Sequence, residues 1–325
     1  MPRSGTSVLE SPRTGPARPG PAALSPAPRP ATRLRPHVAP PVNFDDYCQQ
    51  KAAPAGSSAY YALRQAPFAS QGALTALFAL RRELDETTRE TSDPTIGHTK
   101  LAWWRNELVA LAQGRASHPV TQAIAHHAPA LAPDDAAWQA LADGFAMDLE
   151  QARYLDFANL RRYIGGVGGG FAALVARASA GERTGATSGT GSAPDWAVAL
   201  GNALALAQIV EDVGHDARHG RVYLPIDELQ RYEVTAADLM HRRYSDAFGE
   251  LMAFQAGRAR TALNAALDAM PAAERRDQRT LRALGALALA TLDEIEREKY
   301  QVLHQRIALT PIRKLWVAWR AARRR

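Results

Sequence analysis

Almost the whole chain from Phe44 onward carries a helix-forming pattern, and this pattern limits the fold more than any other feature of the sequence. Ala, Leu, Glu, Arg and Gln dominate, whereas clusters of β-branched residues, which favour strands, are sparse. Apolar residues in the segment 68–91 recur at helical spacing, at Leu74, Leu77, Phe78 and Leu84. No alternating strand pattern and no internal repeat is present. The sequence therefore predicts an all-α fold.

Turn-forming residues divide this pattern into predicted helices. Residues 134–178 read as one or two helices, and the Gly- and Ser-rich segment 180–194 reads as a flexible loop. Residues 195–216 read as one apolar helix. Pro271 separates two long helices, the second of which is predicted to end near Ile307.

The net charge of +6 is concentrated at the two ends of the chain. Residues 1–43 contain six Arg and one acid, and residues 311–325 contain six basic residues and no acid. The residues between them, 44–310, are therefore net acidic. An acidic body argues against a specific nucleic-acid groove and leaves only non-specific contact by the basic ends.

Residues 1–43 form a low-complexity arm that holds eleven of the 21 prolines. Such a segment buries too little apolar area to offset its ordering entropy, so it is predicted to be disordered. Its prolines do not suit the amphipathic helix of a transit peptide, and it lacks the apolar core of a secretory signal. The single cysteine, Cys48, excludes an internal disulfide and suits a reducing compartment, so a cytoplasmic location is expected.

The segment most informative about function is QIVEDVGHDARHGRVYLP, residues 208–225. Asp212 and Asp216 are four residues apart, so on a helix both carboxylates face one side. Carboxylates at the end of an apolar helix suit Mg²⁺, which binds oxygen ligands and substrate phosphates. Three residues that can meet an anionic leaving group follow them: Arg218, Arg221 and Tyr223. An ordinary solvated helix end explains this spacing equally well.

A second acidic cluster, RRELDETTRE, covers residues 81–90. Asp85 and Glu86 can supply a second set of carboxylates, with Arg82 one turn earlier for phosphate. Mixed charges at i,i+3 and i,i+4 are also typical of a solvated, ion-paired helix face, and the pattern alone favours that interpretation.

Two weaker patterns lie nearby. His215 and His219 are four residues apart, but they lack the HExxH arrangement and cysteine support of a transition-metal site. The glycine-rich segment YIGGVGGGF, residues 163–171, follows no predicted strand and does not end in Gly-Lys-Ser/Thr. Close helix packing, or a kink beside a cavity, is favoured over a phosphate loop.

The segment from Asp212 to Pro225 resembles the second aspartate-rich motif of the squalene and phytoene synthases. Further segments resemble the bacterial presqualene diphosphate synthase branch of that family, which serves hopanoid synthesis: DYCQQKAAPAGSSAYY (46–61), TKLAWWRNEL (99–108), GFAMDL (144–149), the stretch 163–169 and LDEIEREKYQVLHQRIALTPIRKLW (292–316). The resemblance covers nearly all of 44–310, which is therefore expected to be one domain of this family.

The resemblance implies a single all-α isoprenoid-synthase bundle, in which two aspartate-rich motifs face each other across a central cavity. In such enzymes Mg²⁺ bridges the carboxylates to two prenyl diphosphates, expected here to be farnesyl diphosphate. One substrate ionises and the double bond of the other captures it head to head. By position, the metal ligands are Asp85, Asp212 and Asp216, and the residues matching catalytic, diphosphate and cavity positions are Tyr163, Arg82, Tyr61, Arg221 and Tyr300. Without a dinucleotide fingerprint, the reaction is expected to stop at the cyclopropyl carbinyl diphosphate.

The sequence departs from the family pattern at specific positions. The first motif is expected to read Asp-Asp-x-x-Asp but reads Asp85-Glu86-Thr87-Thr88-Arg89, which puts a guanidinium where a carboxylate is expected. The family's Asn-x-x-Arg-Asp reads Gln208-Ile209-Val210-Glu211-Asp212. Two interpretations follow. Either Arg89 contacts diphosphate and the enzyme is active, or the chain is a catalytically degenerate paralogue that keeps the fold and a lipid-sized cavity for binding or assembly.

The basic C-terminal segment 311–325 has an amphipathic pattern. Four of its residues can share one helix face: Leu315, Trp316, Trp319 and Ala322. Basic helices with Trp lie at anionic membrane surfaces, so peripheral attachment to the inner face of the membrane is one expectation. A helix docked on its own domain fits equally well. No apolar stretch approaches the roughly 18–20 residues of a membrane span, and the longest, 196–210 and 283–292, are predicted to be buried helices.

Overall fold

Fourteen α-helices and one π-helical segment form the regular structure of the residues that the computed structural model describes, namely Gly15 and residues 43–89, 93–180 and 193–324. In chain order the helices are α1 (Phe44–Lys51), α2 (Ser58–Leu63), α3 (Phe68–Arg89), α4 (Pro94–Ala112), α5 (Pro119–His127), α6 (Asp135–Glu150), α7 (Phe157–Ile164), α8 (Phe171–Ala180), α9 (Asp195–Arg218), α10 (Ile226–Arg231), α11 (Ala236–Met240), α12 (Asp246–Ala269), α13 (Arg279–Arg297) and α14 (Pro311–Arg323). The π segment, Gly165–Gly170, joins α7 to α8. These described residues contain no strand, so the predicted all-α fold is confirmed.

Helix α9 lies at the centre of the bundle, where it packs against α8, α12, α13 and the π segment. Most of its residues are buried, from Trp196 near its start to Ala217 near its end. By length and composition it is the one described helix that is apolar enough to cross a membrane, although 67% of the apolar window is buried inside the protein. Its packing agrees with the predicted buried helix, but its apolar run is longer than predicted.

Two glycines allow the π segment to approach α9 closely. A Cβ placed on Gly201 would lie 2.2 Å from the carbonyl oxygen of Gly168, and a Cβ on Gly168 would lie 2.5 Å from that of Gly201. Any side chain at either position would push the two elements apart. The glycine cluster therefore allows two elements to pack closely beside the cavity, as predicted from the sequence.

Two predicted helix boundaries differ from the structure. Residues 134–178 form α6, α7, the π segment and most of α8, instead of one or two helices. Helix α13 ends at Arg297 and not near Ile307, because Lys299 and Tyr300 adopt φ angles of 51° and 58°. A left-handed backbone does not continue a right-handed helix.

The C-terminal helix α14 belongs to the same compact unit as the bundle, which spans Val42–Arg325. It packs on α13 and α2 and buries Ala318 and Ala322. Ala322 therefore lies on the docked face and not, as predicted, with the exposed Trp residues. The predicted disordered arm and the predicted loop at 180–194 lie almost entirely outside the described residues, so both stay predictions.

Candidate active site

A cavity of about 1340 Å³ lies between α3, α8, α9 and α13. Part of its lining is apolar and is formed by Phe78, Phe171, Leu204, Leu281, Leu284 and Ala288. The charged part holds seven Arg or Lys and six Asp or Glu side chains, most of them from the last turns of α3 and α9 and from the segments that follow α9 and α13. Such a lining suits a ligand with an anionic head and an apolar chain.

All three predicted ligand carboxylates, Asp85, Asp212 and Asp216, line this cavity. Asp85 lies on α3, and the two others lie on α9. Arg89, one turn after Asp85, donates a hydrogen bond from Nη2 to Oδ1 of Asp216, and its Nη1 lies 3.7 Å from Oδ1 of Asp85. The two acidic segments therefore meet at one cavity, as the resemblance implied, and Arg89 links them.

Asp212 is paired with a residue that the sequence did not single out. Nε of Arg306 lies 3.1 Å from Oδ1 of Asp212, and its Nη2 lies 3.9 Å from Glu211. Arg306 lies in the irregular segment after α13. The sequence analysis predicted that this helix would continue to about Ile307. Turns and irregular backbone there, and not a helix, bring a guanidinium to the acidic end of α9.

The three carboxylates do not fit the predicted Mg²⁺ site in this arrangement. Asp85 lies within 4 Å of Arg89 and Arg82, while Asp216 bonds Arg89 and Asp212 pairs with Arg306. Across the described ranges, no group of three or more His, Cys, Asp or Glu side chains is placed to hold a metal ion. Arginines already bind the oxygens that a metal would need, so this arrangement gives no support to a three-carboxylate magnesium site, which stays a prediction.

Burial changes the protonation of the acids on α9. It raises the pKa of Asp216 to about 7, against the lowering effect of Arg89 and with a further rise from Asp212. It likewise raises the pKa of Glu211 to about 8, with help from Asp212 and against Arg306 and Lys314. Glu211 and Asp216 therefore carry less negative charge near neutral pH than ordinary carboxyl groups.

Asp148 is a buried carboxylate that the sequence did not propose as a site residue. It lines the cavity and accepts hydrogen bonds from Tyr163, at 3.0 Å, and from Tyr223, at 2.5 Å. The ring of Tyr223 stacks on those of Tyr163 and Tyr154, whereas the rings of Tyr154 and Tyr163 are tilted by 42°. Burial raises the pKa of Asp148, and the Tyr223 hydrogen bond and the charge of Arg89 oppose that rise.

A sequence pattern for Asp148 was available. Leu141, Gly144, Phe145 and Asp148 fall at i, i+3, i+4 and i+7 and so share one helix face. An acid that continues an apolar helix face is either buried with partners or functional. In this structure it is buried and has phenolic partners.

Four predicted tyrosines do not line the cavity themselves. Tyr163 and Tyr223 lie behind Asp148, with their hydroxyl groups directed to it. Tyr61 packs against a separate apolar cluster beneath α14, and Tyr300 lies at the left-handed turn after α13. None of these four tyrosines belongs to the cavity lining, and their roles toward the substrate stay predictions.

The predicted arginines Arg82, Arg218 and Arg221 do line the cavity. Arg82 binds Glu86 through Nε at 2.7 Å, and Arg221 donates a 2.7 Å hydrogen bond to the carbonyl oxygen of Thr88. Arg81, which the sequence did not propose, also lines the cavity and donates to the carbonyl oxygen of Val167 at 2.8 Å. Cationic side chains from three parts of the chain thus converge on one space.

The all-α bundle encloses a cavity in which an apolar wall adjoins a cluster of arginines and acids, a lining that suits a ligand with an apolar chain and an anionic head. The chain belongs to the squalene/phytoene synthase family, whose model matches residues 52–313. It is 29% identical over 284 residues to the phytoene synthase of Arthrospira platensis, covering 85% of this chain and 92% of the relative. It is 27% identical over 316 residues to the 15-cis-phytoene synthase of Synechocystis sp., covering 93% and 92%.

Solved structures of related enzymes share the fold. A dehydrosqualene synthase in complex with ligand gives a TM-score of 0.73 at 17% identity and covers 86% of this chain and 95% of that one. Squalene synthase HpnC from Alicyclobacillus acidocaldarius gives 0.62 at 18% identity, with coverage of 79% and 94%. The family carries out head-to-head condensation of prenyl diphosphates, and its members typically use a divalent metal to bind diphosphate.

Proposed function

We propose that this protein condenses two prenyl diphosphates, with farnesyl diphosphate as the expected substrate, into a cyclopropyl carbinyl diphosphate of the presqualene type. The observation that carries the proposal is the cavity, where a cluster of arginines adjoins an apolar wall. Its volume of about 1340 Å³ exceeds the roughly 300–1,000 Å³ of an ordinary small-molecule pocket, which suits two long substrates.

The chemistry begins when the C–O bond between an allylic carbon and its diphosphate breaks and the electron pair leaves with the diphosphate. Arg82, Arg218 and Arg221 supply fixed positive charge for that leaving group. The apolar wall keeps water from the allylic cation, which water would otherwise capture. The double bond of the second substrate then forms the new carbon–carbon bond, and loss of a proton closes the cyclopropane ring.

The family's use of a divalent metal makes Mg²⁺ the expected cofactor. Pairing of all three predicted ligands with arginines argues against its binding in the predicted three-carboxylate site. The steps above are therefore assigned only to side chains that line the cavity.

The test is release of diphosphate from farnesyl diphosphate, with and without Mg²⁺, together with extraction of the prenyl product. Arg221→Gln is expected to lower kcat/KM about tenfold or more, because a charge-assisted contact to the leaving group is lost. Arg105→Gln, which changes an arginine outside the cavity lining, is the matched control. Diphosphate release no faster than in a reaction without the protein would refute the enzyme proposal.

A specific observation also supports the second candidate, a degenerate paralogue that binds prenyl lipids without turnover. The Arg89–Asp216 hydrogen bond joins the two acidic segments before any substrate is present. Binding of farnesyl diphosphate without product formation would favour this candidate, whereas product formation excludes it.

We also propose that α14 binds an anionic membrane surface. Ile312, Leu315, Trp316 and Trp319 form one stripe along this helix and are 82%, 50%, 54% and 44% exposed. Arg320 and Arg323 lie over the two Trp rings, at 5.1 and 4.6 Å. Exposed aromatic groups beside basic groups match an anionic lipid interface.

The exposed stripe on α14 lies close to the cavity in which a lipid substrate would bind. Lys314, in its first turn, lines the cavity and donates a 2.9 Å hydrogen bond to the carbonyl oxygen of Gly56. The stripe therefore begins beside the cavity, so a bound membrane would lie near the entry of a prenyl chain.

Vesicle flotation tests this proposal. The full chain is expected to float with vesicles of anionic phosphatidylglycerol and much less with zwitterionic phosphatidylcholine. Trp316→Ala, Trp319→Ala is expected to reduce flotation, whereas Trp103→Ala, which removes a Trp of similar exposure (48%) from α4, is not. Equal flotation of the Trp316→Ala, Trp319→Ala variant and the Trp103→Ala variant would contradict the membrane proposal.

A further inference from the structure

We infer that Arg89 takes the place of a divalent cation in this cavity, so that the site binds a diphosphate group on fixed guanidinium groups without Mg²⁺. The inference rests on the proposed function and specifies how the same site holds its substrate.

The first argument is the position of Arg89 between the two acidic segments. Its Nη2 bonds Asp216 on α9 and its Nη1 lies 3.7 Å from Asp85 on α3. A cation bridging carboxylates from both segments is the role that the resemblance gives to Mg²⁺. A metal ion entering here would have to break the Asp216 bond and would meet a side chain of like charge.

The second argument is an exchange of charge between the two segments. Arg89 stands where the family pattern has an acid, and Glu211 stands where that pattern has an arginine. Compared with the family pattern, position 89 has changed from an acid to an arginine and position 211 from an arginine to an acid. The sum of the formal charges at these two positions is therefore unchanged.

The third argument is the charge of the lining without any metal. Seven Arg or Lys side chains and six Asp or Glu side chains line the cavity, so basic groups outnumber acidic groups before any metal is added. An excess of fixed positive charge in an enclosed space attracts a diphosphate by itself.

The test measures binding of inorganic pyrophosphate to the full chain by calorimetry, in EDTA and in millimolar Mg²⁺. The wild type is expected to bind in EDTA, with a Kd that Mg²⁺ changes by less than about threefold. Arg89→Gln is expected to weaken binding in EDTA about tenfold, because a charged partner is lost. Arg89→Asp, and Arg89→Asp combined with Glu211→Arg, are expected to bind about tenfold better with Mg²⁺ than without it.

Thermal unfolding supplies a readout that is independent of pyrophosphate. Mg²⁺ alone is expected to raise the midpoint of Arg89→Asp and to leave the wild type unchanged. Arg105→Asp, the control, makes the same charge change beside Asp143, outside the cavity lining, and is expected to behave as the wild type. If Arg89→Asp does not fold, Arg89→Gln still tests the role of the charge.

The outcomes separate the two proposals. Wild-type binding that is tenfold or more weaker in EDTA than in Mg²⁺ would overturn the inference and leave the proposed function in place. No pyrophosphate binding under either condition would overturn both. Binding in EDTA that Arg89→Gln leaves unchanged would overturn the role of Arg89 alone.

Discussion

Tyr223 donates a 2.5 Å hydrogen bond to Oδ1 of Asp148, which ties the segment after α9 to the last turn of α6 inside the bundle. Tyr163, on α7, donates to the other oxygen of the same carboxylate. One buried acid thus holds three parts of the chain together at the wall of the cavity. Asp148 is therefore a structural residue, since it fixes the hydroxyl groups of Tyr163 and Tyr223.

Asp148→Ala is expected to lower the free energy of unfolding by about 3 kcal/mol, because two buried hydroxyl groups lose their acceptor. Asp148→Asn retains one acceptor oxygen and is expected to cost less. Chemical denaturation measures both, and Asp143→Ala, an exposed acid on the same helix, is the control. A loss no larger than that of the control would contradict the role given to Asp148.

The raised pKa of Glu211 predicts how the free energy of unfolding depends on pH. Burial raises its pKa from 4.5 to about 8 in the folded state, so between these values the folded protein keeps a proton that the unfolded chain releases. Stability should therefore fall as pH rises through this window, by at most about 1.4 kcal/mol per pH unit from this group. Glu211→Gln is expected to flatten the dependence, measured as denaturation curves from pH 5 to pH 8.

The control for this measurement is Glu250→Gln, which changes an exposed acid on α12. Its pH dependence should match that of the wild type. If Glu211→Gln and wild type keep a constant difference across the range, Glu211 does not hold a proton in the folded state.

Gly201→Ala is expected to destabilise the protein by about 3 kcal/mol or more, because its Cβ would lie 2.2 Å from the backbone oxygen of Gly168. Gly257→Ala, on α12, adds the same methyl group where nothing lies within 4 Å. That control should be neutral or stabilising by roughly 0.4–1 kcal/mol, since alanine favours a helix. Similar unfolding midpoints for the two variants would show that α9 and the π segment can separate without cost.

Ala288→Phe tests whether the apolar wall holds the prenyl chain. Ala288 lines the cavity from α13, so a larger side chain there takes up space that the chain would need. KM for farnesyl diphosphate is expected to rise about tenfold, while binding of inorganic pyrophosphate stays unchanged. Ala253→Phe, at an exposed position on α12, is the control, and an unchanged KM for Ala288→Phe would place the chain elsewhere.

Much of the fold could be predicted because its determinants are local. Helical spacing on α3 and α9 identified the elements, and the i,i+4 spacing of Asp212 and Asp216 placed both carboxylates on one face. That Asp85 would reach the same cavity followed from the family resemblance and not from spacing.

The remaining features depend on contacts between distant parts of the chain. Arg306 reaches Asp212 because α13 ends before a left-handed turn at Lys299 and Tyr300. Neither Lys nor Tyr favours a left-handed backbone, so the sequence did not indicate this turn. Arg89 was recognised as unusual, but its bond to Asp216 spans 127 positions and needed the three-dimensional arrangement. Tyr163 and Tyr223 lie outside the cavity lining because their hydroxyl groups bind Asp148, which lies on a third element that the sequence did not connect to them.

Helix α9 is at once the central packing element of the bundle and the carrier of Asp212 and Asp216. A substitution that moves this helix to suit a new substrate would disturb its contacts with six other elements as well. Helix α13, which lines the same cavity with Leu281, Leu284 and Ala288, has a less central place. Evolution or engineering of new substrate preference in this protein is therefore expected to proceed by changes on α13, with α9 held nearly constant.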